Sequence, residues 1–326
     1  MKFRVDEIVA ATDGRLALGA PGASVSAIAT DTRTLAAGQA FLALRGERLD
    51  GHDFLGAAVK RGASALVIDR EDLPAGLNGF AAAVVLVRDT QEALAALGRA
   101  ARARLMCPVI AVTGSCGKTT VKEMVGQILG PRLRGKTPPA SFNNQIGVPL
   151  TLLAADADDQ FVLCEFGTNH PGEIANLAGI GRPTVAIVTV VAAVHLEGLG
   201  SLDGVAAEKA ALVGAVPPEG LAILNADDPR VAAFGRKCRG RVVTVGMHER
   251  ADLRAKRFRQ SEAGVRFTAD GVAFEVPVLG EHQVVLALES AAAAREAGVP
   301  LAESAEALRR FRPPKMRLAV QDAGDV

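Results

Sequence analysis

Residues 113–120 read Thr-Gly-Ser-Cys-Gly-Lys-Thr-Thr, which combines two glycines with a lysine and several hydroxyl side chains. The apolar run Val109–Val112 precedes them, and apolar residues at a helical spacing follow. A glycine turn between a buried strand and a helix start directs backbone N–H groups and the positive end of the helix dipole at one point. Such a point binds anions, most often phosphate. Lys118 adds a positive charge there, and the Thr119 hydroxyl can hold a magnesium ion.

The match to the standard phosphate-binding loop is incomplete. The pattern G-x-x-x-x-G-K-S/T requires a glycine at position 112, where this chain has Val112. The alternative interpretation is a chance Gly-Lys-Thr turn at the start of a helix. Strand, turn and helix nevertheless occur in the order that phosphate binding requires, so we predict a nucleoside triphosphate site. Its phosphate-binding residues are Thr113, Gly114, Ser115, Cys116, Gly117, Lys118, Thr119 and Thr120.

Polar residues also follow other apolar segments. Glu165 ends the run that begins at Phe161, and His195 comes just after the longest apolar stretch, Val185–Val194. Open α/β sheets bind their ligands at the carboxyl ends of their strands. Beside a phosphate-binding loop, Glu165 is better explained as a magnesium ligand or a water-positioning residue than as a helix cap or a solvated charge. Taken alone, His195 is better explained by a local structural role.

Three further residues give weaker signals. Lys209 lies among small apolar residues of a predicted helix, where most lysines extend to solvent. Asn143 and Asn144 offer paired amides, which suit a polar ligand and a turn equally well. None of these residues identifies a site by itself. Their order behind the phosphate-binding loop is what makes them candidates.

Composition limits the class of protein. The 326 residues are enough for two domains, and the formal net charge of +1 leaves no electrostatic footprint for nucleic acid or an anionic membrane. The apolar stretch Val185–Val194 is too short to cross a bilayer, which takes about 20 residues, and no secretory signal is visible at the start. The four cysteines form no C-x-x-C pair. We therefore expect a cytoplasmic protein with reduced thiols and no membrane insertion.

The element pattern predicts an α/β protein. Strands are expected at 26–33, 39–44, 65–68 and 83–87, with helices at 54–61 and 90–104, so a small N-terminal α/β domain would cover 1–104. Strands at 109–112, 161–164, 184–191, 222–224 and 242–245 then alternate with helices at 119–129, 171–179, 201–215 and 229–236. This alternation predicts a doubly wound, mostly parallel sheet over 105–312. A hairpin at 265–276 and helices at 284–297 and 301–311 would end that domain.

Taken in order, the motifs resemble those of the Mur ligase family, the ATP-dependent amide-forming enzymes of peptidoglycan precursor synthesis. Within it the chain is most similar to the branch that adds D-alanyl-D-alanine to UDP-N-acetylmuramoyl-tripeptide. Any single motif is unspecific, whereas the whole series in fixed order is highly specific. The matching segments are Thr113–Thr120, Ser141–Leu150, Glu165–Ile174, His195–Ser201, Glu208–Lys209, Asn225–Pro229 and Gly280–Gln283, with Asp31–Arg33, Phe41–Gly46 and Asp50–Phe54 in the N-terminal domain.

The resemblance implies a role for each matching residue. Lys118, Glu165, His195 and Lys209 would be catalytic. Thr119 and Glu165 would bind one magnesium ion, and His195 would bind a second together with Lys209, carbamylated by carbon dioxide. His282 would lie near the adenine and Arg317 near the ATP phosphates. The implied substrate-binding residues are Asp31, Thr32, Arg33, Arg45, Gly46, Asp50, His52, Asn143 and Asn144.

The resemblance also implies a reaction and its partners. A substrate carboxylate would attack the γ-phosphorus of ATP, and the amine of D-alanyl-D-alanine would then displace phosphate from the acyl phosphate. The implied role is in cell-wall biogenesis, and through it cell shape and division, for a monomeric cytoplasmic enzyme. Relatives continue into a third, Rossmann-like domain that binds the incoming amine. This chain ends at Val326, so we expect 313–326 to be a hinge to an absent domain, and we expect the chain alone to bind the UDP-precursor and ATP without ligating.

Some residues depart from the family pattern, and other functions remain open. Cys116 replaces a common asparagine in the loop, Ser141 stands where many relatives carry asparagine, and Gln283 replaces the asparagine that commonly follows the histidine. One alternative function is another amide ligase of the superfamily, such as a folylpolyglutamate synthetase. The other is a non-catalytic module that binds the nucleotide or the UDP-precursor.

Overall fold

A computed structural model describes residues 1–71, 83–139 and 141–313, and these divide into two compact units. The first unit contains residues 1–106 and 145–157, and the second contains 107–144 and the residues from 158 onward. The predicted boundary after residue 104 lies next to the observed division at 106. The sequence does not predict that residues 145–157 belong to the first unit, because no pattern in it separates them from the residues on either side.

The first unit is built on a mixed sheet. Its elements are β1 (Phe3–Arg4), α1 (Val5–Thr12), β2 (Arg15–Leu18), β3 (Ser24–Val25), β4 (Ile28–Ala29), β5 (Ala40–Leu42), a 3₁₀ turn (Gly51–Phe54), α2 (Leu55–Lys60), β6 (Ala65–Ile68), β7 (Ala83–Leu86), α3 (Thr90–Ala103) and α5 (Gly147–Leu153). Among the described residues, five strands form one sheet in the order β2-β7-β6-β5-β4. Strands β4 to β7 run parallel, and β2 pairs antiparallel with β7. The central β6 is buried along its whole length, as its uninterrupted apolar sequence predicts.

The predicted strand over 26–33 is much shorter in the structure. It ends at Ala29, and the Asp31 carboxylate accepts a hydrogen bond from the Arg33 backbone N–H at 2.9 Å. An aspartate that bonds to the backbone two residues ahead favours a turn over a strand. Helix α1 was also missed, although Val5, Ile8 and Val9 lie at a helical spacing, because its eight residues span little more than two turns and give only a short periodic pattern.

The second unit carries the predicted doubly wound sheet. Its first elements are β8 (Val109–Thr113), α4 (Lys118–Leu129), β9 (Gly135–Lys136), β10 (Phe161–Glu165), α6 (Glu173–Gly181), β11 (Val185–Val188), α7 (Leu196–Leu199), α8 (Leu202–Gly214) and β12 (Leu221–Asn225). They continue with α9 (Pro229–Ala233), a 3₁₀ turn (Phe234–Lys237), β13 (Arg241–Gly246), β14 (Leu253–Arg254), β15 (Lys256–Ser261), β16 (Gly264–Ala269), β17 (Val272–Val276), α10 (His282–Glu296) and α11 (Leu301–Leu308).

In the described part of this unit, seven parallel strands form one sheet in the order β14-β13-β12-β11-β8-β10-β9. The sheet therefore confirms the predicted fold class. After β8 the chain moves toward β9 and β10, whereas after β11 it moves toward β12. The two neighbouring strands β8 and β11 thus send their connections in opposite directions, which opens a crevice at their carboxyl ends.

Apolar cores cover both faces of this sheet. One core joins the sheet to α4, α10 and α11, and the other joins β11 and β12 to α8. The predicted hairpin at 265–276 is present as β16 and β17, and β15 adds a third antiparallel strand that was not predicted. The strand predicted over 184–191 ends at Val188, because the chain turns away at Thr189 toward the loop before α4. No helix of the described residues is long and apolar enough to cross a membrane.

Helix α10 contains a buried carboxyl group inside the larger core. Glu289 is 0% exposed, and neither of its side-chain oxygens has a hydrogen-bond partner among the described residues. Burial therefore raises the pKa of Glu289 well above its ordinary value. A buried polar group without a partner costs about 1–3 kcal/mol.

We predict that Glu289→Met stabilises the protein by about 1–3 kcal/mol. The folded protein holds the Glu289 proton at pH values where the unfolded chain has lost it, so native stability falls as pH rises above the ordinary glutamate pKa. The gain from the substitution should therefore be larger at pH 8 than at pH 5 in denaturant unfolding.

The matched control is Glu262→Gln, an exposed residue in the turn between β15 and β16. It should leave the unfolding midpoint unchanged at both pH values. A Glu289→Met protein that is less stable than the parent at pH 8 would contradict this account of the carboxyl group.

Candidate functional site

The loop between β8 and α4 depends on two glycines. Gly114 has a φ of +152°, and a Cβ there would lie 1.8 Å from Thr189 Oγ1. Gly117 has a φ of +85°, precedes the first residue of α4, and a Cβ there would lie 2.7 Å from Leu286 Cδ2. A side chain at either position would fill the loop or strain its backbone. The loop thus brings backbone to the N-terminus of a helix, where the first N–H groups lack helical partners.

Hydrogen bonds join this loop to the segment after β11. The Ser115 N–H donates to the Val190 carbonyl at 2.8 Å, and the Ala192 N–H donates to Ser115 Oγ at 2.8 Å. The Thr189 hydroxyl donates to the Cys116 carbonyl. These bonds fix the loop across the crevice between β8 and β11. Sequence reasoning missed Thr189, which it placed inside a strand.

Lys118 lies folded back over the loop. Its Nζ donates to the Gly114 carbonyl at 2.7 Å, and the side chain is half-buried. Thr113 anchors the start of the loop, because its hydroxyl donates to the Phe166 carbonyl at 2.9 Å. Thr120 follows in the first turn of α4. The Lys118 ammonium is therefore held at the mouth of the loop, where an anion would compete with the Gly114 carbonyl for it.

Glu165 is where three parts of the chain meet. It ends β10, is 2% exposed, and accepts a hydrogen bond from Thr119 Oγ1 at 2.9 Å. Its other oxygen accepts from Asn143 Nδ2 at 3.1 Å. The Asn143 carbonyl accepts from the Gly167 N–H at 2.7 Å. The sequence-predicted residues Thr119, Asn143 and Glu165 are thus in direct contact.

The oxygen atoms at this point suit magnesium. A carboxylate and a hydroxyl are hard ligands, and Mg²⁺ is usually bound by one or two protein oxygens together with substrate phosphates and water. No group of three or more His, Cys, Asp or Glu side chains that could hold a metal occurs in the described residues. The Thr119 hydroxyl and the Glu165 carboxylate, 2.9 Å apart, fit a metal that arrives with a phosphate ligand.

Lys209 lies in α8 and is 2% exposed. Over the described chain, no hydrogen bond to its ammonium group is found. Burial, and then the charge of Lys118, lower the pKa of Lys209 to about 8, although Glu208 and Cys116 partly oppose them. The structure therefore brings Lys209 close enough to the phosphate-binding loop to interact with its charges. It does not extend to solvent as most helical lysines do.

Glu208, the residue before Lys209, connects α8 to a different loop. Its carboxylate accepts from the Gly172 N–H and the Ile174 N–H, both at 2.7 Å. These are the N-terminal N–H groups of α6, so Glu208 satisfies donors that the helix leaves open. The motif Glu208–Lys209 was recognised in the sequence, but no role was assigned to the glutamate.

A further pair of residues holds the segment after β11 from the other side. Asn225 Nδ2 donates to the Thr189 carbonyl at 2.7 Å, and the Asp228 carboxylate accepts from the Val191 N–H at 2.8 Å. Both belong to the motif that follows β12. The signal that singled out Glu165, a polar residue at the carboxyl end of a buried strand, applies to Asn225 equally.

The two histidines predicted for the magnesium and adenine sites, His195 and His282, are exposed. His195 has a φ of +54° and precedes the short helix α7, in the segment joined to the loop through Ser115. No hydrogen bond links its ring to another candidate residue in the part of the chain described. His282 begins α10, one turn before Leu286, which contacts Gly117. Asn144 is exposed beside Asn143, and Arg317 lies outside the described residues.

Gln283 lies beside His282 at the start of α10. Its Nε2 is 3.0 Å from His282 Nε2, and the residue is 3% exposed. Its Oε1 is buried without a partner among the described residues. A buried acceptor without a donor is rare in proteins. The start of α10 therefore contains an unpaired buried acceptor beside His282.

The candidate substrate residues of the first unit form ion pairs. Asp31 and Arg33 form a bidentate salt bridge, with Arg33 Nη2 2.6 Å from Asp31 Oδ2. Hydrogen bonds from Arg33 lower the pKa of Asp31 to about 2, so the carboxylate stays ionised. Thr32, between them, is half-buried. The Arg33 side chain is 87% exposed, which leaves its guanidinium accessible to an anionic ligand.

A second cluster surrounds a buried histidine. His52 Nδ1 is 2.6 Å from Asp50 Oδ1, and His52 Nε2 accepts the Asp69 N–H at 3.2 Å. Burial raises the pKa of Asp50, but the hydrogen bonds from His52 and the charge of Arg70 outweigh it and leave the pKa below its usual value. Arg45 donates to Asp69 at 2.6 Å. Gly46 follows Arg45, and its N–H donates to the Leu49 carbonyl at 2.9 Å.

Two family profiles match the chain. The profile described as "Mur ligase middle domain" matches residues 112–294, and the one described as "Mur ligase family, catalytic domain" matches residues 24–103. The first match contains the phosphate-binding loop, Glu165, Lys209 and the start of α10. The second contains both ion-pair clusters of the first unit.

Curated relatives include two bacterial proteins named UDP-N-acetylmuramoyl-tripeptide--D-alanyl-D-alanine ligase. The one from Bacillus subtilis (strain 168) is 35% identical over 296 residues, which cover 90% of this chain and 64% of the relative. The one from Escherichia coli (strain K12) is 37% identical over 287 residues, which cover 85% of this chain and 62% of the relative. The chain thus spans less than two thirds of the length of these relatives.

Solved structures agree with the sequence matches. A crystal structure of MurF from Acinetobacter baumannii superposes with a TM-score of 0.90 at 30% identity, over 99% of this chain and 71% of that one. MurF ligase from Thermotoga maritima, solved in complex with ADP, gives a TM-score of 0.77 at 26% identity, over 91% and 68%. With a family match over more than half of its residues and these likenesses, the chain belongs to the Mur ligase family.

Proposed function

We propose that the protein is an ATP-dependent, ADP-forming carbon–nitrogen ligase that adds D-alanyl-D-alanine to UDP-N-acetylmuramoyl-tripeptide. The observation that carries the proposal is the contact of Thr119 and Glu165 at the phosphate-binding loop, at 2.9 Å. A hydroxyl and a carboxylate that lie together beside a helix N-terminus and Lys118 support a magnesium site there. The substrates come from the relatives, whose names state them.

The chain's own residues account for phosphoryl transfer by charge and position. Backbone N–H groups of the loop and the Lys118 ammonium would hold the β- and γ-phosphates of ATP. A substrate carboxylate would attack the γ-phosphorus, and ADP would leave. The amine of D-alanyl-D-alanine would then attack the acyl carbon and displace phosphate. No protein nucleophile is needed, since orientation and charge neutralisation supply the rate enhancement.

Magnesium, held by Thr119 and Glu165, would neutralise charge on the phosphate oxygens. For a second ion, we propose His195 and a carbamate on Lys209. A carbamate forms when an uncharged amine attacks carbon dioxide and loses a proton. The buried Lys209, whose pKa is lowered to about 8, offers such an amine more readily than an exposed lysine would. The modification would turn a cation into an anionic oxygen ligand.

ATP and the UDP end of the precursor would bind at different residues. We propose that the exposed His282 lies near the adenine and that Arg317 lies near the ATP phosphates. We propose that the UDP end of the precursor binds at Asp31, Thr32, Arg33, Arg45, Gly46, Asp50 and His52, with Asn143 and Asn144 also serving substrate binding. A monomer working in the cytoplasm on ATP and a UDP-linked precursor would match this role in cell-wall biogenesis.

Substrate dependence of ADP release separates this proposal from its alternatives. ADP release that requires both UDP-N-acetylmuramoyl-tripeptide and D-alanyl-D-alanine supports it. Release that requires a folate would identify a folylpolyglutamate synthetase instead. Tight binding of the UDP-precursor with no ADP release, even after the C-terminal domain of a relative is supplied, would favour a non-catalytic binding module.

We predict that Gly114→Ala weakens binding of ATP·Mg²⁺ at least 100-fold, measured by isothermal titration with a non-hydrolysable analogue. The added Cβ would meet the Thr189 hydroxyl at 1.8 Å and displace the loop. The control is Gly298→Ala, whose φ is also positive at +85° but where a Cβ meets nothing within 4 Å. Nucleotide affinity unchanged by Gly114→Ala would contradict the proposed phosphate cradle.

We predict that Lys118→Ala abolishes ADP formation, by about 10³-fold or more, and leaves binding of the UDP-precursor nearly unchanged. The reason is that Lys118 belongs to the loop, whereas the precursor's UDP end is assigned to the first unit. Exposed Lys237→Ala, in the same unit, should affect neither quantity. If Lys118→Ala reduced ADP formation and UDP-precursor binding equally, the assignment of these two roles to different residues would be refuted.

We predict that Lys209→Ala is inactive and recovers partly when short-chain carboxylates such as acetate are added. These anions would occupy the space of the missing side chain and replace the carbamate oxygens. A ¹³C NMR signal from protein equilibrated with ¹³CO₂ should be present in the parent and absent in Lys209→Ala. Failure of rescue at every carboxylate concentration, together with no carbamate signal in the parent, would rule out the carbamate role.

A further inference from the structure

One buried lysine takes no part in the proposed chemistry. Lys122 lies in α4, one turn after Thr119, and its side chain is 0% exposed. Its Nζ donates to the Pro138 carbonyl at 3.2 Å and is 3.0 Å from Glu123 Oε1. A buried ammonium costs several kcal/mol of desolvation unless it is well bonded. Methionine or leucine would pack this helix face without that cost, so the charge needs another explanation.

The segment that Lys122 contacts cannot be held by strand pairing. Strand β9 pairs with β10 through Gly135 and Lys136 and then ends. The next residues, Thr137-Pro138-Pro139, include two prolines, which have no N–H to donate to a sheet. The carbonyl of buried Pro138 nevertheless needs a donor. Lys122 supplies it from the helix.

One stripe of α4 faces this segment and the site together. Positions 119, 122 and 126 lie on the same helix face. Thr119 bonds to Glu165, Lys122 bonds to Pro138, and a Cβ on Gly126 would lie 3.2 Å from Thr137 Oγ1. The helix that begins at the phosphate-binding loop therefore also contacts Thr137 and Pro138.

The segment leads to Asn143. There the chain is anchored again, because Asn143 donates to Glu165 Oε1 and accepts from the Gly167 N–H. We propose that Lys122 is a positioning residue: it fixes residues 137–139 against α4 and thereby sets where Asn143 holds the Glu165 carboxylate. The inference rests on the proposed function, since Glu165 matters as a magnesium ligand.

The test measures magnesium dependence of nucleotide binding. For Lys122→Met, at a temperature where circular dichroism shows a folded protein, the Mg²⁺ midpoint for binding a non-hydrolysable ATP analogue should rise about tenfold, as for loss of an outer-shell ligand contact. Affinity for the analogue without Mg²⁺ should change little, because the loop itself is intact. Lys122→Arg should bring the Mg²⁺ midpoint part of the way back to the parent value. Exposed Lys237→Met should leave the Mg²⁺ midpoint at the parent value.

A double-mutant cycle then tests whether Lys122 affects Mg²⁺ binding through Asn143. Asn143→Ala should raise the Mg²⁺ midpoint similarly, and Lys122→Met combined with Asn143→Ala should be no worse than either alone, because both act through the same carboxylate. Additive effects would overturn the proposal, as would a Mg²⁺ midpoint for folded Lys122→Met within twofold of the parent.

If Lys122→Met fails to fold, Gly126→Ala tests whether the packing of Thr137 on α4 affects the Mg²⁺ midpoint. Alanine favours a helix interior over glycine by about 1 kcal/mol, yet its Cβ presses on Thr137. A protein at least as stable as the parent with a raised Mg²⁺ midpoint supports the proposal, and an unchanged midpoint overturns it. Failure of the parent itself to bind ATP·Mg²⁺ would instead contradict the proposed function.

Discussion

The hydrogen bonds between the phosphate-binding loop and residues 189–192 are the constraint on which the rest of the second unit depends. Ser115 and Cys116 are tied to the segment after β11, and Asn225 and Asp228 hold that segment from β12. The loop contains Gly114, whose backbone conformation suits no other residue well. Without neighbours that define its shape, such a loop would lose the fixed geometry that anion binding requires.

The second unit surrounds this loop with helices that each serve two purposes. Helix α4 begins at the loop and packs residues 137–139. Helix α8 directs Glu208 to the N-terminus of α6 and Lys209 toward the charges of the loop. Helix α10 presents Leu286 to Gly117 and carries Gln283 with its unpaired oxygen. Each of these helices therefore contributes a residue that contacts the phosphate-binding loop or interacts with its charges.

The first unit works by a different principle. Its candidate residues are ion pairs in which a carboxylate orients an arginine, as Asp31 does for Arg33 and Asp69 does for Arg45. His52, buried between Asp50 and Asp69, holds the second cluster together. The arginines stay exposed while their partners fix their direction, which prepares a surface for an anionic ligand at small entropic cost on binding.

The amino-acid sequence by itself determined the class of fold and the core of the site. The apolar runs at Val109–Thr113 and Leu221–Asn225 require burial on both faces, and the glycine turn before Lys118 restricts the backbone locally. Both depend on residues near one another in the chain. Predictions were weaker where an element was short or an aspartate competed for the backbone, as in α1 and at Asp31.

Tertiary structure alone decided which polar residues meet. The hydrogen bonds of Glu165 to Thr119 and Asn143 join positions 46 and 22 residues apart, and Thr189 reaches Cys116 across 73. Burial of Lys209, of Lys122 and of Glu289 likewise depends on what packs over them. Local periodicity describes a residue's neighbours in the chain, whereas these contacts are set by the order of strands in the sheet and by the helices that cover it.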